Sequence, residues 1–182
     1  MFEIRFHGRG GQGVVVASTV LASAFFKEGK FVQAFPSFGA ERRGAPVTAF
    51  TRVSDHEIRE RYGIYKPDCL IVLDSSLTKN PTLTSGLKQG HWIIINSDKK
   101  PENYAFLGDF RMATVDGNSI AKRHGLGTSS MPIVNTTILG ALPKVTPLLG
   151  IESILEAVRE YAPSKPEKNA EAALESYHAV MF

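Results

Sequence analysis

Three stretches of the chain carry residue types whose spacing could do chemistry. The first is Gly8-Arg9-Gly10-Gly11-Gln12-Gly13. Gly8, Gly10 and Gly13 fall on the positions of a G-x-G-x-x-G pattern, and Gly11 adds a fourth glycine. Glycine admits positive φ and lets a ligand approach the backbone without a Cβ in the way. A helix opening behind such a turn aims unpaired N–H groups and a partial positive charge at the same point, which suits a phosphate or a carboxylate. The plain alternative is a tight strand-to-helix turn that binds nothing. Gln12 could hydrogen-bond a ligand amide or carbonyl, or simply cap the turn. The second stretch is Ser37-Phe38-Gly39-Ala40-Glu41-Arg42-Arg43-Gly44. Arg42 and Arg43 offer planar forks for bidentate phosphate contact, with Glu41 placed to orient one of them. The competing reading is a solvated charge cluster or a subunit salt bridge. The third is Pro132 to Ala141, an apolar run holding Asn135, whose amide needs partners if buried. Those partners are the ligand, the glycine turn or nearby backbone.

The elements that must position these groups follow from hydrophobic patterning. Phe2 to Phe6 alternates like a strand, and Val14 to Lys27 has helical length, so the glycine motif sits between strand and helix. Further strands are expected at Phe31–Phe35, Val47–Val53, Cys69–Asp74, Trp92–Asn96 and Arg111–Asp116. Continuous apolar runs such as Cys69 to Leu73 suit a parallel strand buried on both faces. A short helix is expected over Leu83–Lys88, closed by Gly90, and another over Ser119–His124. The run Pro132–Leu149 should kink or break at Pro143. A helix follows with Ile151, Ile154, Leu155, Val158 and Tyr161 on one face. Ser164 and Glu167 fit a capping box with Pro166 in the first turn, opening the last helix. Alternating strands and helices imply an α/β fold: a doubly wound, mostly parallel, Rossmann-like sheet with a helical C-terminal part.

Bulk properties narrow the function. A chain of 182 residues is expected to form a single domain, 1–182. A net charge of +3, with its cations dispersed, gives no case for nucleic acid. There is no run long enough to span a membrane and no signal-peptide pattern at the start, so the chain reads as cytoplasmic. The single cysteine, Cys69, excludes an intrachain disulfide and a cysteine-ligated metal cluster built from this chain alone. It lies in an apolar strand and reads as buried. The five histidines, His7, His56, His91, His124 and His178, show no metal spacing. His7, at the end of the first strand, either lines the site or packs as a strand terminus. No Ser/His/Asp set and no carboxylate pair is legible, so no catalytic residue is assigned.

Dinucleotide binding is the common use of the glycine pattern. It asks for an acid about 20 residues on, at the end of the second strand, to hold the ribose hydroxyls. That place is occupied by Gln33-Ala34-Phe35, and Glu41 is too far along, so NAD is not supported.

The glycine turn, taken with Phe38-Gly39-Ala40-Glu41-Arg42-Arg43-Gly44-Ala45-Pro46-Val47 and with Phe50 and Arg52 beyond, resembles the gamma subunits of the 2-oxoacid:ferredoxin oxidoreductases, those acting on pyruvate most of all. The likeness continues through Pro132–Gly140 and Lys168-Asn169, nearly the full chain. The beta chain of indolepyruvate oxidoreductases is the nearest confusable relative, because it shares the glycine turn. The resemblance implies a subunit that is inactive alone and that joins alpha, beta and delta-type subunits. The complex would oxidatively decarboxylate a 2-oxoacid with coenzyme A, giving acyl-CoA, CO2 and reduced ferredoxin. Thiamine diphosphate, magnesium and iron–sulfur clusters would belong to the partner subunits. Coenzyme A would belong here, with Gly8, Gly10, Gly11, Gln12 and Gly13 around its diphosphate and Arg42 or Arg43 on a phosphate or a partner chain. Ser37 and Asn135 are further candidates. The rival reading is an assembly subunit with no ligand of its own. A free-standing nucleotide-dependent dehydrogenase is the third reading, and the missing acid weighs against it.

Overall fold

In a computed structural model the structure describes residues 1–37 and 44–182. Six strands form one sheet: β1 (Phe2–Arg9), β2 (Phe31–Pro36), β3 (Pro46–Ser54), β4 (Cys69–Val72), β5 (Trp92–Asn96) and β6 (Arg111–Val115), in the spatial order β2-β3-β1-β4-β5-β6. β4, β5 and β6 run parallel to β1. β3 is antiparallel to both of its neighbours, so β2 runs in the same direction as β1. Five strands of six therefore share a direction, as the buried apolar runs required. The chain leaves β1 toward β2 and β3 on one side and returns to β4 on the other. That reversal of order between β1 and β4 opens a crevice at their carboxyl ends.

Both faces of the sheet are covered, unequally. Helices α1 (Val14–Lys27), α2 (Gly117–Arg123), α3 (Ile151–Tyr161) and α4 (Pro166–Ala179) pack with the 3₁₀ turn Thr137–Lys144 over one face. Ile4, Phe6, Ile71, Ile94 and Val115 point into that core. The other face of β4 and β5 buries Leu70, Val72, Ile93 and Ile95 under Leu77, Leu83, Leu87 and Tyr104, which sit on 3₁₀ segments and turns. Cys69 is buried on β4, and that burial pushes its thiol well above the usual range.

Three local expectations are corrected. Leu83–Lys88 forms tight turns instead of a helix. Gly86 has φ +81° and lies so close to Tyr65 that a Cβ would meet its carbonyl oxygen at 1.8 Å, so the segment follows tertiary contact over helical propensity. The run after Pro132 is irregular through Thr136 and then takes 3₁₀ form, with Pro143 near its end. The capping box is absent. Lys165, with φ 50°, takes the N-cap position of α4, and no side chain among the described residues caps it. Glu167 instead pairs with Arg159 at 3.1 Å, and Asn169 Nδ2 donates to the carbonyls of Ser164 and Lys165 at 2.8 and 3.0 Å.

Candidate functional site

The glycine turn begins inside β1. A Cβ on Gly8 would fall 2.5 Å from Val14 Cγ2, so the close approach of α1 to its own strand needs glycine there. Gly11 (φ +94°) and Gly13 (φ +73°) take left-handed backbone, and Gly13 is the N-cap of α1. The turn is closed by Gln12 N–H donating to Arg9 O at 3.0 Å and Arg9 N–H donating to Gln12 Oε1 at 2.7 Å. Gln12 thus spends its carbonyl on the turn, and its Nε2 lies 3.5 Å from Asp74 Oδ2. Gly10 is pinned to the start of β3, donating to Ala45 O at 2.9 Å and accepting from Gly44 N–H at 3.1 Å. Among the described residues no side chain caps α1, and no acid stands in its first turn, so none of them compensates the positive end of this 14-residue helix.

Asp74, just past β4, meets this turn from the neighbouring strand. Its Oδ2 accepts from Arg9 Nε at 2.9 Å. Arg9 also donates to Gly44 O and to Ser76 Oγ. Burial works against the Asp74 charge. Hydrogen bonds from the Ser76 hydroxyl and backbone N–H, then from Arg9, outweigh it and hold the carboxyl below its ordinary range. Arg9 and Asp74 therefore neutralise one another.

Beyond the turn lies a cleft of about 650 Å³ at the carboxyl ends of the parallel strands. Gly11 and Gln12 form one wall, Leu73 to Ser75 and Asn96 the floor, Asn118 and Lys122 of α2 the far wall, and residues 127–134 the roof. Asn96 is 3% exposed; its Nδ2 donates to Leu73 O at 2.9 Å and to Asn118 Oδ1 at 3.2 Å. Its Oδ1 has no hydrogen-bond partner among the described residues. A Cβ on Gly117 would come within 3.0 Å of that oxygen.

Asn135 is brought to the glycine turn from more than a hundred residues away. Its Oδ1 accepts from Thr136 N–H at 2.9 Å, and its Nδ2 occupies the space where a Gly13 side chain would begin, 2.3 Å from a built Cβ. Thr136 Oγ1 in turn donates to Asn169 Oδ1 at 2.6 Å. A relay of side chains thus ties the start of α4 to the start of α1.

Other candidate residues lie elsewhere. Ser37 is exposed, is held to β3 by its N–H on Thr48 O at 2.8 Å, and lines a different cavity of about 560 Å³ on the sheet face away from α1. His7 lines that same cavity, not the cleft. Its Nε2 accepts from Arg5 Nε at 2.9 Å; burial, reinforced by the Arg5 charge, pushes its pKa down to about 3, so it is a neutral packed strand residue. Arg52 is fully buried and donates to Glu3 Oε1 at 2.7 Å, to Gln33 Oε1 at 3.1 Å and to Tyr62 O at 3.1 Å. It is a core ion pair under the β-sheet edge. Glu41, Arg42 and Arg43 lie outside the described residues. Among the described residues no group of three or more His, Cys, Asp or Glu could hold a metal ion.

The sequence reading missed Asp74, Asn96, Asn118 and Lys122. The signal that could have found two of them is a polar residue at the carboxyl end of an apolar parallel strand, where ligands of open α/β sheets bind. Asp74 follows Cys69–Leu73 and Asn96 ends Trp92–Ile95.

Sheet, turn and cleft define a Rossmann-like α/β fold with a glycine turn beside a cleft at the carboxyl ends of its parallel strands. The sequence profile of the pyruvate ferredoxin/flavodoxin oxidoreductase family, described as "Pyruvate ferredoxin/flavodoxin oxidoreductase", matches residues 3–179. The pyruvate/ketoisovalerate oxidoreductases common subunit gamma of Thermococcus kodakarensis is 50% identical, over 98% of this chain and 96% of its own length. The pyruvate synthase subunit PorC of Methanothermobacter thermautotrophicus is 47% identical, over 99% and 96%. The crystal structure of pyruvate oxidoreductase subunit PORC from Thermotoga maritima superposes with a TM-score of 0.83 at 35% identity, over 98% of this chain and 96% of that one. The chain belongs to the pyruvate ferredoxin/flavodoxin oxidoreductase family. It is a subunit of the gamma type, matched from end to end.

Proposed function

We propose that this subunit binds coenzyme A in the cleft beside the glycine turn and presents it to the rest of an oxidoreductase. The assembled enzyme would convert a 2-oxoacid, in the first instance pyruvate, to acyl-CoA, CO2 and reduced ferredoxin. The observation that carries this reading is the uncapped, uncompensated N-terminus of α1. It opens through Gly11, at positive φ and with nothing within 4 Å of a built Cβ, beside a cleft of about 650 Å³ at the strand-order reversal. The amides of Gly11 and Gly13 and the first turn of α1 would take the diphosphate, the Gly10 amide being held by Ala45 O at 2.9 Å; coenzyme A needs no ribose-binding acid after β2. Asn135, with its Nδ2 against Gly13, adds a donor beside that position. This chain's part in the reaction is positional. Holding the thiol end near a neighbouring chain raises its effective concentration there. Thiamine diphosphate, magnesium and the iron–sulfur clusters would sit on alpha, beta and delta-type subunits. The one cysteine here is buried, with its thiol held protonated.

A second reading rests on a specific observation. Gly8 and Gly13 are demanded by internal packing against Val14 and Asn135, so two of the four glycines need no ligand to explain them. On that reading the chain is an assembly subunit. Calorimetric titration of coenzyme A, with NAD as comparator, into the purified chain and into the reconstituted complex separates the two. Binding of coenzyme A and not NAD supports the proposal. Absence of binding in both preparations, with the fold intact, leaves the assembly role.

A further inference from the structure

The glycine turn offers one place for an anion, and the cleft it opens on carries a cation of its own. Lys122 lines the far wall from α2, and its side-chain ammonium makes no ion pair or hydrogen bond among the described residues. It is the one positively charged residue among the described lining of the cleft. Arg9 and Asp74 neutralise each other at 2.9 Å, and Arg123, the next residue of α2, bonds to Glu175 on α4.

The groups around Lys122 are donors. Asn118 Oδ1 is occupied by Asn96 Nδ2, which fixes the orientation of the Asn118 amide and leaves its NH2 free to donate. Facing it, the roof begins Gly127-Thr128-Ser129-Ser130, with Gly127 at φ +77°. A Cβ on Gly127 would come within 2.4 Å of Met131 O, so the roof turns back tightly and places three successive hydroxyl residues along the cleft. Thr128 Oγ1 accepts from Met131 N–H at 3.0 Å, and Ser129 Oγ makes no hydrogen bond among the described residues. A lysine, a free amide NH2 and serine hydroxyls are the donor set of a phosphate site. α2 follows β6, three strands from β1, so this set stands on the order of 14 Å from the glycine turn by strand spacing, less the reach of the side chains.

We propose that Lys122, with the Asn118 amide and the hydroxyls of the 128–130 segment, forms a second anion subsite that takes the ribose phosphate of coenzyme A. This rests on the coenzyme A reading above and adds a specificity-determining residue to it. The glycine turn holds the diphosphate common to many nucleotides, and Lys122 distinguishes a ligand with an additional phosphate from one without it.

The test compares coenzyme A with dephospho-coenzyme A in the full chain and in the reconstituted complex. It uses direct titration together with KM and kcat. The wild type should prefer coenzyme A. Lys122→Ala should weaken coenzyme A binding about tenfold, as for loss of one exposed charge-assisted hydrogen bond, and leave dephospho-coenzyme A unchanged. The loss should appear in KM with kcat retained. Lys122→Arg should keep the preference, and Arg123→Ala should leave both ligands as in the wild type. Retained preference in Lys122→Ala overturns the subsite while leaving coenzyme A binding standing. Equal affinity of the wild type for the two ligands also overturns the subsite. No binding of either ligand to either preparation fails the coenzyme A reading itself.

Discussion

Substituting Gly13 tests whether the asparagine brought in from residue 135 fixes the opening of α1. Gly13→Ala meets two separate penalties. The backbone at φ +73° is left-handed, which costs an alanine about 1–2 kcal/mol. The new Cβ would also lie 2.3 Å from Asn135 Nδ2 and 3.1 Å from Asn135 Cγ. Asn135 cannot swing aside freely, being 5% exposed and held by Thr136 N–H at 2.9 Å. Relieving that overlap should cost roughly 1–3 kcal/mol more. The total, about 2–5 kcal/mol, corresponds to a fall in Tm of about 5–15 °C for a chain of this size. Gly11→Ala is the matched control. Its φ is +94° and nothing lies within 4 Å of its Cβ, so it should show the backbone cost alone. The assay is chemical and thermal unfolding of wild type, Gly13→Ala, Asn135→Ala and the double variant. Removing the Asn135 amide should rescue Gly13→Ala, giving a favourable coupling of about 1–3 kcal/mol. Strict additivity, or equal losses for Gly11→Ala and Gly13→Ala, would refute the claim that Asn135 occupies the place of a Gly13 side chain.

Other outcomes follow from the same geometry. His7, with its pKa pushed down to about 3 in the folded chain against about 6.5 when unfolded, binds fewer protons folded than unfolded between those values. Its contribution is therefore present above about pH 6.5 and is lost as pH falls toward 3. Urea unfolding at stepped pH should show about 1.4 kcal/mol per pH unit lost in that window relative to His7→Gln, and parallel pH profiles would contradict the neutral assignment. Arg52→Ala should cost about 3–5 kcal/mol, because it strands the Glu3 carboxylate in the sheet; loss below about 1 kcal/mol would show the pair to be solvated. Asn169→Asp keeps the acceptor for Thr136 but removes both donors to the carbonyls of Ser164 and Lys165. It should destabilise the chain by roughly 1–3 kcal/mol, read by the unfolding midpoint, and an unchanged midpoint would remove Asn169 from the relay.

The sequence by itself determined the strands, because apolar runs such as Cys69–Leu73 and Trp92–Ile95 have no other stable place than a sheet buried on both faces. It determined the glycine turn too, since a strand, four glycines in six residues and a helical segment leave little choice of local backbone. It also placed α3 and α4 through their apolar spacing. What it left open is set by contacts across large separations. Gly86 is driven off a helical path by the Tyr65 carbonyl, and Lys165 occupies the N-cap where Ser164 was expected, because Asn169 holds the carbonyls there. His7 adjoins the glycine turn in sequence and Ser37 directly follows β2, yet strand alternation turns His7, and the Thr48 contact carries Ser37, to the far face of the sheet. Lys122 and Asn96, unremarkable in sequence, share a cleft with Gly11 only because β4, β5 and β6 return beside β1 and set their carboxyl ends around it. Local propensity fixes elements over a few residues. Which side chains share a cleft is decided by strand order and register, which only the folded sheet supplies.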